Sequence, residues 1–495
     1  MTPAFEDIPK TGLWKRMLLG CALVVFATAS ATAVAAFREV DKVVDALRDN
    51  PSLELQNLAQ TDPGEAQTIM LLGSDRRPDN ATDGGAGTGA RSDTIILVRL
   101  DPDKGTALLS LPRDLKVQIP GFGTDKLNAA YDLGGPNLAL KTVRRLTGLS
   151  VNHVINVDFQ GFRKAVDAIG CIYLDIDRRY FNDSAAFAYI NIYPGYQKLC
   201  GEEALEYARF RYDDTDLVRS ARQQEVLREA KQQIGTGQLF NDRDKLIRIF
   251  GRYTTSDEGL KSRSGILRLL TLAVYSVDQP LREVHFEGEI TEGDVGAGLP
   301  SYVTASNASV KALSAQFLGV EETEGPRGDG GARRPRKAGG GGDPDGGLFK
   351  DPGSGKDLAV RTIQKAKRKD AGRLPIYYPT VFLKGAFADQ ATRNYRIKTP
   401  EGKVERAYRM PVRGPVFGDY YGIQGTTWKS PPILASDNAE ERTQGGRTFE
   451  LHYDGDRVHL VAWRTSKAVY WVSNTLRQTL TEKQMLAIAR STRLP

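Results

Sequence analysis

The chain carries one apolar segment that constrains everything after it. From Met17 to Phe37 the sequence MLLGCALVVFATASATAVAAF contains no charged residue. As a helix rising about 1.5 Å per residue, this segment spans roughly 31 Å, the thickness of a hydrocarbon core. Lys10, Lys15 and Arg16 precede it, and basic residues favour the cytoplasmic side of a membrane. The sequence therefore predicts a single-pass protein of the cell membrane with a cytoplasmic N-terminus and an extracytoplasmic body.

A cleaved signal peptide is the alternative, because the small residues ATA at 31–33 suit a cleavage site. The apolar run is longer than an ordinary signal-peptide core, which favours the membrane helix. Both interpretations export the body of the chain. The body contains only Cys171 and Cys200, and two cysteines in an exported protein are typically joined. We therefore expect a disulfide, with two buried free thiols as the alternative.

The 495 residues are too many for one ordinary domain, and composition divides them. The predicted parts are a tail and membrane helix (1–37), a polar stalk (38–66), an α/β domain (67–318), a flexible, Gly-rich basic linker (319–373) and a smaller α+β domain (374–495). Within the linker, GSGKD at 353–357 lacks the first glycine and the Ser/Thr of a phosphate-binding loop and follows no predicted strand. A phosphate-loop enzyme is therefore not indicated.

The α/β assignment depends on short apolar runs separated by turn and helix patterns. TIMLLG (68–73), TIILVRL (94–100) and TALLSLP (106–112) are predicted strands, the last two joined by the turn DPDKG. A helix is expected to begin at Pro136 and to stop at Gly148. HVINVDFQGFRKAVDAIGCIYLDI (153–176) is typical of a β-α-β unit, in which Asp158 caps the helix.

Arginine without lysine marks the stretch RFRYDDTDLVRSARQQ, residues 209–224. Arg219, Arg222 and Gln223 are spaced i, i+3 and i+4, which places them on one face of a helix. A planar guanidinium binds phosphate oxygens bidentately, whereas a lysine offers only a point charge. The pattern therefore indicates a phosphate-binding site.

Further polar clusters stand at the edges of the predicted strands: GSDRR (73–77), RSDT (91–94) and LPRD (111–114). Carboxylates among arginines would neutralise a phosphate site unless they held a divalent cation, and Mg²⁺ takes one or two carboxylates together with phosphate oxygens. Asp75 and Asp93 are the predicted carboxylates. The arginines and glutamine predicted to form a pyrophosphate clamp with them are Arg91, Arg113, Arg209, Arg211, Arg219 and Gln223.

At these residues the chain resembles a known family. RSDT, SLPRD, DKLNAAY, GEEALEYARFRYDD and DLVRSARQQ, in this order behind one membrane helix, are similar to the LytR-CpsA-Psr (LCP) family, in its actinobacterial type with an extra C-terminal domain. The resemblance implies a central sheet flanked by helices, with a hydrophobic tunnel for a polyprenyl tail. It also implies a phosphotransferase that moves a glycopolymer from a polyprenyl-pyrophosphate carrier to peptidoglycan through a phosphodiester bond.

The resemblance assigns roles to individual residues. Asp75 and Asp93 would coordinate Mg²⁺ or Mn²⁺, and Arg91, Asp93 and Arg113 would act in catalysis. The pyrophosphate would be bound by Arg113, Arg209, Arg211, Arg219 and Gln223. A Gly-rich insertion at 78–90 departs from the simplest family pattern and is expected to form a flap over the site.

Two other functions use the same residues. A pyrophosphatase would use water in place of the sugar hydroxyl, and a non-catalytic binder would hold the lipid-linked glycan without turnover. The net charge of +7 and pI of about 9.0 favour an anionic partner. An extracytoplasmic body does not meet nucleic acid, so the expected partners are the lipid-linked glycan, peptidoglycan and the membrane.

Overall fold

The computed structural model describes the chain from residue 40 onward with gaps. The described ranges are 40–62, 64–74, 92–184, 189–210, 214–233, 236–277, 281–286, 288–291, 301–320, 347–365, 374–435, 439–455 and 457–495. The predicted membrane segment, 17–37, lies outside them. Among the helices in these ranges, none has the length and apolar character needed to cross a membrane.

The first part of the chain, up to residue 320, is mixed α/β. In chain order its helices and strands are α1 (residues 40–48), β1 (Gln67–Ser74), β2 (Ser92–Asp101), β3 (Gly105–Leu111), β4 (Lys116–Ile119), β5 (Gly123–Lys126), α2 (Ala129–Thr147), β6 (His153–Asp158), α3 (Phe159–Ala168), β7 (Ile172–Ile176), β8 (Tyr180–Asn182), β9 (Ile190–Ile192), β10 (Gly195–Leu199), α4 (Gly201–Arg209), α5 (Asp216–Gln233), α6 (Thr236–Tyr253), β11 (Thr254–Ser256), α7 (Arg263–Val277), β12 (Leu281–Val284), β13 (Glu289–Thr291), β14 (Tyr302–Thr304) and α8 (Asn307–Leu318).

A six-stranded sheet lies at the centre of this part, in the order β11-β6-β1-β2-β3-β12. β1, β2 and β3 pair antiparallel, while β6 pairs with β1 and β12 pairs with β3 in parallel. The hairpin turn sets Asp101 opposite Gly105. The three strands predicted from their apolar runs are confirmed, and they form the middle of the sheet, where both faces are covered.

Helices α3 and α2 follow the capping and helix-ending signals predicted from the sequence, and α2 has one turn more than predicted. Asp158 caps α3 by accepting a hydrogen bond from the Gly161 amide at 2.6 Å. In α2 the backbone of Gly134 and Gly135 is not helical, so a new helical run begins at Pro136, as predicted, and ends at Gly148 with φ of 70°. The extra turn before Gly134 was not expected.

The prediction of a polar stalk over 38–66 is wrong for its described residues. Val40, Val44 and Leu47 recur at i, i+4 and i+7 and are buried, because they pack with sheet residues such as Ile69 and Ile155. After the helix, the Leu53 amide donates to the Ser256 carbonyl at 2.9 Å. This segment is therefore part of the folded body.

Cys171 and Cys200 form a disulfide with a Cα–Cα distance of 4.4 Å. The bond joins the residue after the α3 turn to the N-cap of α4. A covalent link here ties together two elements that precede the arginine-rich stretch.

The linker prediction for 319–373 is wrong for residues 347–365, which form a strand and a helix. Asp351 caps that helix by accepting from the Gly353 amide at 3.0 Å, and Pro352 occupies its first position. Leu358 and Ala359 are buried in an apolar core with residues of the following sheet. Glycine and lysine flank this buried face in the sequence and hide its periodicity. GSGKD lies inside the helix.

The second part of the chain forms an eight-stranded antiparallel sheet. The elements of this part are β15 (Leu348–Lys350), α9 (Pro352–Lys365), β16 (Val381–Leu383), β17 (Phe387–Ala388), β18 (Arg393–Lys398), β19 (Val404–Arg413), β20 (Tyr420–Thr426), β21 (Glu440–Gln444), β22 (Arg447–Asp454), β23 (Arg457–Arg464), β24 (Val469–Ser473) and α10 (Glu482–Ser491). The sheet runs β17-β19-β20-β24-β23-β22-β21, and β18 pairs with β19. The second part also contains a separate antiparallel pair, β15 with β16.

The two parts pack against each other through a buried interface. Tyr173 and Tyr196 of the first part share an apolar cluster with Trp471. At its centre Arg409, fully buried, donates to both oxygens of Asp175 at 3.0 and 3.1 Å, and the Trp471 indole donates to the same carboxylate at 3.1 Å. A charge pair buried this well depends on both parts being in place.

Candidate active site

The ends of β1 and β2 form the first edge of the candidate site. Gly73 faces Thr94 and Ser74 faces Ser92, so a bulge leaves Asp93 between two register pairs. A Cβ on Gly73 would lie 2.9 Å from the Thr94 Cβ, so only glycine permits this approach. The Ser74 hydroxyl is buried and has no hydrogen-bond partner in the described part of the chain.

Arg113 follows the neighbouring strand β3 and is 4% exposed. The Asn128 amide donates to the Arg113 carbonyl at 3.0 Å, which fixes the backbone. The guanidinium Nε lies 3.7 Å from Asp114 and 3.8 Å from Asp216. Asp114 also forms an ion pair with Lys126, in which the Nζ–Oδ1 distance is 3.0 Å. Arg113 is therefore held in a network of alternating charges.

Asp216 joins Arg113 to the second arginine of the site. It opens α5 and forms an ion pair with Arg219 one turn later, while its other oxygen accepts from the Asp114 amide at 3.2 Å. Arg219 is 4% exposed. One buried carboxylate thus sets the positions of two buried guanidiniums that are 106 residues apart in the sequence.

Arg113, Asp216 and Arg219 line one cavity of about 250 Å³. The apolar part of its lining comes from Phe210, Ile290, Tyr302 and Val303. A second cavity of about 290 Å³ shares Arg113 and Asp114 with the first. Its other lining is mainly polar: Asp125, Lys126, Asn128 and Asp132, with Ala129 and Leu133. The two cavities meet at Arg113.

Gln223 connects the arginine-rich helix to the β1–β2 edge. Its side-chain amide donates to the Thr94 hydroxyl at 3.0 Å. The guanidinium of Arg209 lies 4.0 Å from the centre of the Phe159 ring. Phe159 follows Asp158, which is the register partner of Ser74. Gln223 and, through Phe159, Arg209 therefore lie near the end of β1.

Arg222 does not share the direction of Arg219, contrary to the single face expected from its spacing. It is fully buried and donates to the Tyr207 and Phe210 carbonyls at 2.9 and 2.7 Å. Its guanidinium also pairs with Asp214. Arg222 therefore supports the loop before α5 and does not line the cavity.

The second sheet reaches the wall of the first cavity through Asp214. Burial raises the pKa of this carboxyl, while Arg222 and Arg178 oppose that shift. Gly418, between β19 and β20, packs so close that a Cβ there would lie 3.5 Å from Asp214 Oδ1 and 3.2 Å from Val218 Cγ2. The Tyr420 ring lies 5.6 Å from the Arg178 guanidinium.

Several predicted residues lie outside the description. Asp75, Arg91 and Arg211, and the insertion at 78–90, are not among the described residues, and only the backbone of Asp93 is described. The metal assignment therefore remains a prediction. Of the described site residues, Arg113 and Arg219 share a cavity, and Gln223 and Arg209 stand at the adjoining strand edge.

Asp114, Asp216 and Lys126 were not singled out from the sequence. For Asp216 a signal existed, because an aspartate three residues before an arginine on a helix typically pairs with it. For Asp114 and Lys126 no local pattern was available, since β4, β5 and the turn between them bring the two side chains together.

The first part of the chain is similar in sequence to known proteins. The LytR_cpsA_psr family profile matches residues 27–313. Polyisoprenyl-teichoic acid–peptidoglycan teichoic acid transferase TagU of Enterococcus faecalis is 32% identical over 222 residues, covering 44% of this chain and 70% of that protein. The TagU of Oceanobacillus iheyensis is 32% identical over 261 residues, covering 49% of this chain and 77% of that protein.

Among solved structures, protein gbs0355 from Streptococcus agalactiae has a TM-score of 0.46 at 26% identity, covering 52% of this chain and 87% of that chain. The family profile spans more than half of the 495 residues. The chain therefore belongs to the LytR_cpsA_psr family.

Proposed function

We propose that this protein transfers a glycopolymer from a polyprenyl-pyrophosphate carrier to peptidoglycan, forming a phosphodiester bond. The observation that carries the proposal is the cavity in which Asp216 holds Arg113 and Arg219 together. The names of the TagU relatives supply the class of donor, a polyisoprenyl-linked polymer, and the acceptor, peptidoglycan. Which polymer this chain transfers is left open.

The two arginines suit a pyrophosphate. A guanidinium has five N–H donors and can bind a carboxylate and a phosphate oxygen at the same time. Because Asp216 fixes both side chains before substrate binds, little reorganisation accompanies the growth of negative charge on the phosphate oxygens. Arg113 and Arg219 are therefore expected to stabilise the transition state more than the bound substrate.

The reaction exchanges one phosphorus–oxygen bond for another. A sugar hydroxyl of peptidoglycan attacks the phosphorus that carries the glycan, and the bond to the bridging oxygen breaks. Polyprenyl phosphate leaves with that electron pair. The hydroxyl proton passes to a carboxylate at the site. Such a displacement needs mainly positioning and charge stabilisation from the protein.

Asp75 and Asp93 would hold Mg²⁺ or Mn²⁺. The donor set suits a hard cation, because Ser74 adds a buried, unpartnered hydroxyl oxygen directly before Asp75. When bound, a divalent ion neutralises charge on the pyrophosphate oxygens. Arg91 and Arg211 complete the proposed clamp.

The second cavity is proposed to receive the acceptor. It adjoins the arginine cavity at Arg113 and offers both donors and acceptors for sugar hydroxyls through Lys126, Asn128 and Asp132. Asp132 Oδ1 is buried and has no hydrogen-bond partner within the described ranges. An acceptor hydroxyl bound to it would approach the phosphorus from the side of Arg113.

The proposed location is the cell membrane, with a cytoplasmic N-terminus, a single-pass helix over residues 17–37 and the two cavities outside. The disulfide between Cys171 and Cys200 supports an oxidising compartment. A membrane anchor would keep the site close to a lipid-linked donor.

The test uses the full-length protein in detergent with a polyprenyl-pyrophosphate glycan, peptidoglycan and Mg²⁺. We expect release of polyprenyl phosphate together with glycan bound to peptidoglycan through a phosphodiester. Arg219→Ala should abolish both, whereas the exposed Lys141→Ala should not. Free glycosyl phosphate without transfer would identify a pyrophosphatase, and tight binding without turnover at any metal concentration would identify a binder.

A further inference from the structure

A second cluster of ligating side chains lies between the two parts of the chain, away from both cavities. Glu283 belongs to β12 at the edge of the first sheet, His285 follows that strand, and Asp454 ends β22 of the second sheet. Their side chains are 1%, 9% and 3% exposed. Each offers one ligand atom, and the three atoms lie within 4.8 Å of one another.

The hydrogen bonds of the cluster leave one atom of each residue unused. Arg228 donates to Glu283 Oε1 at 2.9 Å and to Asp454 Oδ2 at 3.5 Å, and Gln478 donates to Asp454 Oδ2 at 2.6 Å. Among the described residues, Glu283 Oε2, Asp454 Oδ1 and His285 Nε2 are buried without a hydrogen-bond partner. His285 Nε2 lies 3.6 Å from Glu283 Oε2.

Unpartnered buried polar atoms are costly, and native structures rarely leave three together. A proton or a cation between the two carboxyl oxygens would remove this cost. A proton shared by Glu283 and Asp454, whose ligand atoms lie within 4.8 Å of each other, would satisfy those oxygens. It would leave the imidazole nitrogen of His285 without a partner, whereas a metal ion would bind all three atoms.

We propose that Glu283, His285 and Asp454 bind a divalent transition-metal ion, with Zn²⁺ the best match. One imidazole and two carboxylates form a mixed N/O donor set that zinc accepts readily. Arg228 and Gln478 bind the carboxylate oxygens that the ion does not use, as the residues around a metal site commonly do.

The surrounding charges leave room for a cation. Arg228 interacts with four carboxylates, those of Glu225, Glu229, Glu283 and Asp454. Two further guanidiniums, Arg457 and Arg477, act on His285. These guanidiniums reduce the affinity of the site for a cation, whereas the carboxylates of Glu283 and Asp454 raise it.

The site has a structural consequence. Glu283 and His285 fall inside the region matched by the family profile, 27–313, and Asp454 falls outside it. A bound ion would therefore fasten the second sheet to the family fold. This role is independent of the proposed transferase activity.

The test uses untagged, full-length protein depleted of metal with a chelator and kept in excess Mg²⁺, so that oxygen-only sites are filled. Titration with Zn²⁺ is followed by calorimetry and by thermal unfolding. We expect about one Zn²⁺ per chain, a rise in Tm of a few degrees, and visible absorption bands when Co²⁺ replaces Zn²⁺.

Glu283→Gln and His285→Gln should each weaken Zn²⁺ binding more than 10-fold. His452→Gln, which changes a histidine of β22 outside the cluster, should not. If a ligand variant fails to fold, the wild-type titration still decides. No Zn²⁺-dependent rise in Tm, or equal binding by wild type and Glu283→Gln, would overturn the proposal. The first result would leave the shared proton as the occupant.

Discussion

The side-chain amide of Gln223 donates to the hydroxyl of Thr94 at 3.0 Å, across 129 residues of sequence. Thr94 follows Asp93 at the bulge where β2 begins. One turn before Gln223, Arg219 lines the cavity with Arg113. The hydrogen bond therefore sets α5 relative to the sheet edge and relates the arginine cavity to the predicted metal aspartates.

Gln223→Ala should lower turnover of the lipid-pyrophosphate glycan by about 10²-fold, because loss of the hydrogen bond to Thr94 lets α5 and Arg219 shift relative to the sheet edge. The Michaelis constant should change far less than the turnover number. Steady-state release of polyprenyl phosphate measures both. Gln232→Ala, near the end of the same helix, is the matched control, and equal losses in the two variants would contradict a role for Gln223 at the site.

Asp216→Asn should destabilise the fold by about 3 kcal/mol, because two buried guanidiniums lose the carboxylate between them. The free energy of unfolding from denaturant titration measures the effect. Asp103→Asn, an exposed residue of the β2–β3 turn, should cost less than about 0.5 kcal/mol. A loss in Asp216→Asn no larger than in Asp103→Asn would show that Arg113 and Arg219 do not depend on Asp216.

Asp132→Asn should raise the Michaelis constant for peptidoglycan about 10-fold and leave that for the lipid-linked donor unchanged, because only the acceptor cavity loses a carboxylate. Initial rates at varied acceptor and donor concentrations separate the two constants. If the donor constant rises and the acceptor constant does not, the assignment of the two cavities is reversed.

Local patterns in the sequence predicted the centre of the fold well. The β1, β2 and β3 strands are apolar runs with turn residues between them, and the cap at Asp158 is a contact over three residues. Such features depend on neighbours in the chain, so spacing and residue type are sufficient. Arg113 and Arg219 were predicted from residue type alone, because a guanidinium suits a phosphate whatever its contacts in the fold.

The features that the sequence did not predict depend on tertiary packing. The directions of Arg219 and Arg222 differ because Arg222 is drawn to the Tyr207 and Phe210 carbonyls, which belong to another element. Helix α9 was missed because its buried face, Leu358 and Ala359, is short and flanked by glycine and lysine. Tertiary contacts override composition in both cases.

Gly418→Val should disturb the site from the second sheet. The new side chain would meet Val218 Cγ2 at 3.2 Å, one residue before Arg219, and overpacking of this kind costs about 1–3 kcal/mol.

Gly402→Val is the matched control. Its backbone is nearly the same, with φ of 81° against 82°, but only the end of the Lys398 side chain lies within 4.0 Å of a Cβ there. Both variants carry the backbone strain, so the difference between them measures the contact. Lower turnover in Gly418→Val than in Gly402→Val is expected, and equal activity would show that the second sheet does not position Arg219.

Burial raises the pKa of Glu225 to about 8, although Arg228 and the Tyr207 hydroxyl oppose the shift. The usual glutamate pKa is 4.5, so between these values the folded chain binds one proton more than the unfolded chain. Stability therefore falls as the pH rises from 4.5 to about 8, by at most about 1.4 kcal/mol per pH unit from this group.

Glu225→Gln keeps an oxygen for the Tyr207 hydroxyl, which donates to Glu225 at 2.6 Å, and removes the titration. The free energy of unfolding of wild type should therefore fall relative to that of Glu225→Gln between pH 5 and pH 8, measured by denaturant titration at each pH. A constant difference across that range would show that Glu225 is ionised in the folded protein.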